Sequence, residues 1–388
     1  MSFPATFDGY PRNTTRAGVR NHFLVFSATG LTGPTARRIA AQLHGALVIC
    51  MPHDTGLLGE DRLVAERALE AFVTHPNVGA VLVVGGNQPK VSRLAQVAAQ
   101  SGRASVGLSL DECGHDAHRL TEQGVRAGAK MVRDLSGVRR QPVPITELFV
   151  ALECGRSDPS SGLVANPLLG LLSDSLVDAG GSAVIGETVE WLGAEHLLAK
   201  RGINEAVRAR IREAPLARER MAIDAGIDLL GNNPGPTNIA AGLSSIEEKS
   251  LGNIAKSGSQ PIQSVLGYGE PPARAGFHLM DAPAYAPESL TGFTIAHAQL
   301  SMFTTGVGNS FVNLLNPTIK LSANPHTTSR LQEQIDFDAS AALTGEQSLD
   351  TVAAELIEHV VRTANGLLTF GEVHGEGEEV VSRFGAAL

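Results

Sequence analysis

Cysteine is scarce in this chain of 388 residues: there are three, at positions 50, 113 and 154. They show no paired spacing and no CxxC, which excludes a disulfide framework and a four-thiolate zinc site and points to a reducing, cytoplasmic setting. No apolar run approaches the ~18 residues that would span a bilayer, and the first residues, MSFPATFDGYPRNTTRAGVRN, hold no apolar signal core. A membrane protein is therefore not expected. Long basic runs are also missing, and the net charge is −9, so the clustered Lys and Arg that neutralise phosphates are absent and nucleic acid is not an expected partner.

Apolar residues make up 43% against 18% charged, with 42 glycines and 20 prolines. That balance describes compact, loop-rich α/β domains, and the length suits two of them. Over residues 20–137, short apolar runs (HFLVFSA, ALVICMP, VGAVLVVGG, ASVGLSL) alternate with helical patterns (PTARRIAAQL, EDRLVAERALEAFV, KVSRLAQVAAQ, HRLTEQGVRAGAKMVRDL). Strands apolar on both faces and interleaved with helices predict a doubly wound parallel sheet. The arginine- and proline-rich segment GVRRQPVP, 137–144, reads as a linker, giving an α/β domain at 9–137 and a larger, loop-rich α/β domain at 145–388. In the second domain TELFVALEC and SAVIGETVE read as strands, NPLLGLLSDSLVDAGG as a helix, and LDTVAAELIEHVVRTA as a closing amphipathic helix. After about residue 230 the pattern turns irregular, with the Gly/Pro/Asn passages GNNPGPTN, GYGEPPARAGF and DAPAYAPES. Loops that long in compact domains tend to be functional.

Open α/β sheets bind ligands outside the carboxyl ends of their strands. In the first domain those ends carry few polar groups, and His53 is the one candidate base; the alternative is that Pro52 and Gly56 make a turn and Asp54 or Thr55 caps the next helix. No GxGxxG occurs there, so a dinucleotide site is not expected. DECGHDAHRL, 111–120, offers Cys113, His115 and His118, but no further ligand is spaced to complete a tetrahedron, and its acidic residues suit a helix start. The second domain is richer. LECGRSDPSSGLVANP, 152–167, packs a cysteine, an aspartate, three serines and two glycines between two apolar segments, a composition that suits a metal, a substrate or a turn.

GETVEWLGAEHLL places Glu187, Glu190, Glu195 and His196 after a strand, where carboxylates ligate hard cations or move protons; helix-dipole placement of Glu195 is the plainer account. Lys249 could anchor a carboxylate or take an α-proton, although Ser244 with Glu247, or Ser245 with Glu248, also makes a capping box. FTTGVGNS, 303–310, has the composition of an anion nest, with the Thr304 and Thr305 hydroxyls and glycine-freed amides, and Lys320 follows on a strand.

The order of these segments is more specific than any one of them. GYPRNTTRAGVRN, HPNVGAVLVVG, CGRSDPSSGLVANPLLG, GETVEWLGAEHLL, NNPGPTNIAAGLSSIEEKSLG, LMDAPAYAPESLTG, FTTGVGNS and PTIKLSAN together resemble the altronate and galactarate dehydratase family, from about residue 9 to residue 375. The resemblance implies a lyase that eliminates a β-substituent from a small anionic hydroxy acid to give a 2-keto acid. Its dehydratases usually use iron or another divalent metal (Fe2+, Mn2+ or Mg2+), and the related sulfolactate sulfo-lyase expels sulfite. On that reading Arg20, Asn21, Lys249 and Lys320 hold anionic groups, Thr304 and Thr305 cradle a carboxylate, and Ser157, Asp158, Asn166, Asn233 and Asp281 make further substrate contacts. His53 or Lys249 takes the α-proton and Glu187 or Glu190 handles the leaving group, with the crevice between domains as the site. A metal, if used, would fall to Cys154, Glu187 and His196. The cysteines common in the family's first-domain loops are here Leu31, Leu57 and Gln88, and Val307 stands where arginine is usual, which implies altered or absent metal use. Only eight residues precede Gly9, where relatives carry a small extra domain, which implies a separate small subunit or its loss; a homo-oligomer is expected. A sulfo-lyase-like large subunit and a non-catalytic relative that binds a sugar acid or a partner remain the alternatives.

Overall fold

The computed structural model describes residues 2–229 and 233–385 and divides into two compact units, both α/β. The N-terminal unit comprises Asp8–Val143 with Leu314–Asn316 and Glu378–Leu388. Its strands β1 (His22–Ser27), β2 (Ala46–Cys50), β3 (Val78–Gly85) and β4 (Ala104–Ser109) form a parallel sheet in the order β2-β1-β3-β4. Helices α1 (Gly33–Ala40) and α4 (Ala117–Leu135) pair with each other, as do α2 (Gly59–Thr74) and α3 (Gln88–Gln100), so the apolar strands are covered on both sides. One such core joins Phe23, Val25, Ile39, Leu82, Val84 and Met131.

Helix starts in this unit follow local chemistry. Asn87 caps α3 by accepting from the Lys90 amide at 3.0 Å, and Asp116 caps α4 through the amides of His118 and Arg119 at 2.8 and 3.2 Å. The 111–120 segment is thus a helix start, with Cys113 buried against Gln123. Asp54 does not cap α2; it pairs with Lys90 at 2.8 Å, and the helix begins at Leu58 without a side-chain cap.

The C-terminal unit holds Pro144–Asn313 and Pro317–Gly377 together with the chain's first residues. Strands β5 (Phe149–Cys154), β6 (Ser182–Ile185), β7 (Ile262–Leu266), β8 (Gly276–Met280), β9 (Leu300–Thr304), β10 (Thr318–Ser322) and β11 (Phe337–Asp338) form one parallel sheet ordered β11-β10-β9-β5-β6-β8-β7. The chain runs outward from β5 through β6 on one side and resumes at β9 on the other, so β5 stands at the switch point where ligands gather in such sheets. The stretch after residue 230 is more regular than its sequence predicts. It supplies β7 and β8, the short helix α6 (Pro236–Ala240) and helix α7 (Ile246–Ile254); these elements are brief, polar in places and separated by Gly/Pro passages, which hides their periodicity. Of the GNNPGPTN motif, Gly231 and Asn232 lie outside the described residues.

After β5 the chain passes through one π turn, Ser161–Ala165, into α5 (Asn166–Asp178), with Pro167 in its first turn where no amide donor is missed. Gly170 on α5 lets the 255–258 turn approach closely: a Cβ there would lie 2.4 Å from the Ala255 carbonyl oxygen. Asp174, one turn on, fastens the same segment by accepting from the Ser259 and Gln260 amides at 2.7 and 3.1 Å. Gly170→Ala must push backbone against backbone, so it is expected to cost about 1–3 kcal/mol and lower the melting temperature measurably by calorimetry. An unchanged melting temperature would show that the turn yields freely.

Candidate active site

The carboxyl ends of β5, β6 and β8 open on a cleft of about 1000 Å³ within the C-terminal unit, lined among others by Cys154, Ser157, Glu187, Glu190, Lys249 and Asn233. Cys154 is the last residue of β5 and is buried. Glu187 follows β6 and takes a left-handed backbone, φ 58°, that a non-glycine residue adopts at a cost of about 1 kcal/mol or more. A single 3₁₀ turn, Thr188–Trp191, then returns Glu190 to the same place. That turn is fixed by the buried Trp191, whose Nε1 donates to the Gly186 carbonyl at 3.0 Å, and by Thr188, which donates to Asp281 at 3.0 Å and accepts from the Ala282 amide at 2.9 Å.

Helix α7 and its continuation supply the cations. Lys249, Asn253 and Lys256 are spaced i, i+4, i+7 and so share one helical face. The Lys249 ammonium donates to Glu190 Oε1 at 2.6 Å and also to Asn233 Oδ1; Lys256, fully buried, pairs with Glu187 Oε2. Asn253 donates to the Glu190 carbonyl at 3.2 Å and lies 3.4 Å from the Cys154 sulfur. Capping and chemistry coexist on this helix. Ser245 accepts from the Glu248 amide, while the Glu248 carboxylate takes the Ser244 hydroxyl at 2.6 Å, and Lys249 still reaches the cluster.

The electrostatics follow from burial. Glu153, buried on β5 and accepting from the Ser289 hydroxyl at 2.7 Å, is raised well above its ordinary value by its loss of solvent and then by the nearby Glu187. Burial and then Glu187 also raise Glu190, against the pull of Lys249. The Cys154 thiol is pushed well up by burial and the two glutamates. Burial alone would lower Lys249 and Lys256, but the surrounding acidic groups outweigh it and raise both, so each is a fixed cation.

Cys154 Sγ, Glu187 and Glu190 form a buried group that could hold a metal ion. The sulfur lies 3.5 Å from Glu187 Oε1 and 3.7 Å from Glu190 Oε2, and each of these oxygens is the one not bonded to a lysine. Metal–ligand lengths of roughly 2.0–2.3 Å give edges of this size between donors, so the spacing fits one cation. Charge fits less generously, because each glutamate already meets an ammonium and the thiol must first lose its proton. The third member of this group is Glu190, not His196, which lies exposed on the short helix Glu195–Ala199.

Other expected site residues are placed differently. Thr304 and Thr305 are buried and committed: Thr304 donates to Asn166 at 2.8 Å and Thr305 accepts from the Gly308 amide at 3.0 Å, so they orient neighbours rather than form an open nest. Asn166 spends its amide on the Gly252 carbonyl at 2.9 Å. Asp158 organises its own loop, accepting from Ser160 at 2.6 Å and from Asn324 at 2.7 Å. Asp281 holds Arg218 and Arg210 at 2.9 and 3.2 Å. The buried Lys320 amine has no hydrogen-bond partner, faces Glu376 at 3.8 Å and is lowered to about 8, chiefly by burial. By contrast Ser157 and Asn233 line the cleft, and the buried Ser157 Oγ and Asn233 Nδ2 have no hydrogen-bond partner among the described residues. Three expected residues belong to the N-terminal unit. There His53 is half-buried on the loop after β2, Arg20 donates to the Val19 carbonyl at 2.9 Å, and Asn21 accepts from Arg12 at 3.0 Å.

With this geometry established, comparison with known proteins is decisive. The description "D-galactarate/Altronate dehydratase, C-terminal" matches residues 145–387, and "D-galactarate dehydratase/Altronate hydrolase, second domain" matches residues 9–136. The chain belongs to the galactarate/altronate dehydratase family. Within that family it is 35% identical over 381 residues to the (2R)-sulfolactate sulfo-lyase subunit beta of Chromohalobacter salexigens, covering 97% of both chains. It is 30% identical over 399 residues to the altronate dehydratase of Bacillus subtilis, covering 99% of this chain and 78% of that protein. The Escherichia coli galactarate dehydratase (L-threo-forming) is 31% identical over 263 residues, 68% of this chain and 50% of that protein. These relatives are lyases, and so is this chain.

This cluster depends on charge balance deep in the unit. Lys256→Met leaves Glu187 and Glu153 together without their cation, and breaking such a pair is expected to cost about 3–5 kcal/mol. Adding Glu187→Gln should recover part of that loss in a double-mutant cycle measured by urea unfolding. Strict additivity of the two changes would contradict the pairing.

Proposed function

We propose that this chain catalyses β-elimination from a small 2-hydroxycarboxylate, yielding a 2-keto acid. The observation that carries the proposal is one carboxylate, Glu190, raised by burial and directly bonded to a fixed cation, Lys249, at the wall of the cleft. A base must take the weakly acidic proton next to the substrate carboxylate, and a cation or aimed donors must carry the enediolate that develops. Glu190 is the base in this reading, since Lys249 is held protonated. Lys249, Ser157 Oγ and Asn233 Nδ2 face the cleft as donors to the carboxylate and its enediolate.

The bond changes balance simply. The C2 proton passes to Glu190, the C2–C3 double bond forms, and the C3 substituent leaves with its bonding pair. The enol then takes a proton at C3 and loses its 2-hydroxyl proton to solvent, becoming the 2-keto acid. A hydroxide leaving group needs a proton to depart as water, and the proton that Glu190 takes from C2 is available for it; sulfite departs without one. Cys154, Glu187 and Glu190 would hold a divalent ion such as Fe2+, Mn2+ or Mg2+, whose chemistry there is Lewis-acid stabilisation of the enediolate. An ion and the α-proton compete for Glu190, so the proton-transfer role is expected without metal.

Two readings of the leaving group stand. Water loss agrees with the dehydratase relatives, and sulfite release agrees with the sulfo-lyase subunit, whose match spans 97% of both chains. That relative's designation as a subunit supports a separate small partner subunit for this chain. Three free cysteines suit a cytoplasmic setting, and no helix among the described residues is long and apolar enough to cross a membrane.

The test is a panel of aldonates, aldarates and sulfolactate, assayed for 2-keto acid and for sulfite, with and without the small subunit and after chelation. Turnover of at least one compound that survives chelation is expected; ligand-induced stabilisation without turnover of any would overturn the lyase reading. The pH profile of kcat/KM should lose activity on the acid side through a group above the ordinary glutamate value of 4.5, because the base must be deprotonated. An acid limb at or below that value would exclude Glu190.

A further inference from the structure

Arg156 lies in the loop after β5 and lines the same cleft as Glu187, Glu190 and Lys249. Its backbone is left-handed, φ 56°, and among the described residues only three other non-glycines share that conformation: His115, Glu187 and His297. Two of these four residues therefore line one cleft. Glycine would adopt the conformation at no steric cost, so an arginine here accepts strain for the sake of its side chain.

The loop around it is fixed. The Arg156 carbonyl accepts from the amides of Gly306 and Val307 at 3.2 and 3.3 Å, which sets the origin of the side chain against the 306–307 turn. The guanidinium itself has no ion pair or hydrogen bond among the described residues. Arg218, the other guanidinium of the cleft, is already tied to Asp281 at 2.9 Å. Deeper in, Lys249 and Lys256 are paired with Glu190 and Glu187. Arg156, exposed at this cleft, is thus its cation without a protein partner among the described residues, and its planar donor fork suits carboxylate or sulfonate oxygens.

We infer that Arg156 determines specificity by holding a second anionic group of the substrate, so that the preferred substrate is a dianion: a 2-hydroxycarboxylate with a carboxylate or sulfonate at its far end. The inference rests on the proposed lyase reading for which carboxylate reacts, but the binding role of Arg156 is separable from turnover. A neutral polyol tail would leave the guanidinium unmatched. A sulfonate or second carboxylate would meet it with charge-assisted hydrogen bonds.

The experiment is calorimetric binding of unreactive anions to the full chain. Malonate and sulfoacetate supply the two dianion chemistries, and glycolate is the monoanion control. Wild-type protein is expected to bind at least one dianion about 10-fold or more tightly than glycolate, with the better of the two identifying the far group. In Arg156→Gln and Arg156→Gly that preference should fall by roughly 10- to 100-fold while glycolate binding changes little. Arg156→Gly relieves the left-handed strain, so it should melt no lower than wild type, which separates loss of the guanidinium from loss of the fold. Equal affinity for dianions and glycolate in the wild type, or a preference that survives both substitutions, would overturn the inference. Dianion preference in a protein that turns over nothing would defeat the lyase reading and leave the role of Arg156 standing.

Discussion

Two buried glutamates held against one buried and one partly buried lysine around one thiol are the constraint on which the rest of the C-terminal unit depends. Isolated charges cannot be kept at such depth, so each partner needs its counter-charge delivered with hydrogen-bond accuracy. The sheet delivers the thiol at the end of β5 and both carboxylates just after β6, and one face of α7 and its continuation delivers the cations. Much of the surrounding detail serves that delivery. Gly170 and Asp174 seat the turn carrying Lys256, Trp191 and Thr188 lock the turn carrying Glu190, and Asn166 ties the α5 start to Gly252 on α7.

The same pairing sets what the cluster can do. Burial raises Glu190 and Glu153, while the acidic surroundings keep Lys249 and Lys256 charged. The unit therefore gathers a proton acceptor of increased basicity, a second carboxyl raised in the same direction and two cations. Abstraction of a proton beside a carboxylate needs such a set, and none of it calls for a histidine. The left-handed backbones of Glu187 and Arg156 mark where this arrangement is maintained at conformational cost.

Much of this was legible in the sequence, for reasons that differ by element. Apolar runs such as HFLVFS and VGAVLVVG announce parallel strands because they are buried on both faces, and the ordered motifs announce the family. Glu187, Glu190, Lys249 and Cys154 stand out as polar groups beside buried strands. Lys256 and Asn253 were missed although their spacing from Lys249 places them on one helical face, because the capping signal at Ser245 accounts for that helix without chemistry. Glu153 was missed because an acidic residue closing an apolar strand reads as its exposed end. The hydroxyls of Thr304 and Thr305 look free in sequence, and only the fold shows them spent on Asn166 and Gly308. Composition cannot distinguish a donor that faces a cleft from one that holds a loop; hydrogen-bond partners can.

The central claim is that Glu190, poised by Lys249 and by burial, takes the α-proton. It is tested most directly by following loss of deuterium from C2 of a turned-over substrate into water, with chelated wild-type protein and Glu190→Gln side by side. Wild type should release the label, and Glu190→Gln should release it about 10²–10⁴-fold more slowly while still binding the substrate by calorimetry. Release by Glu190→Gln within tenfold of wild type, or a wild-type protein that exchanges only when metal is restored, would contradict the account.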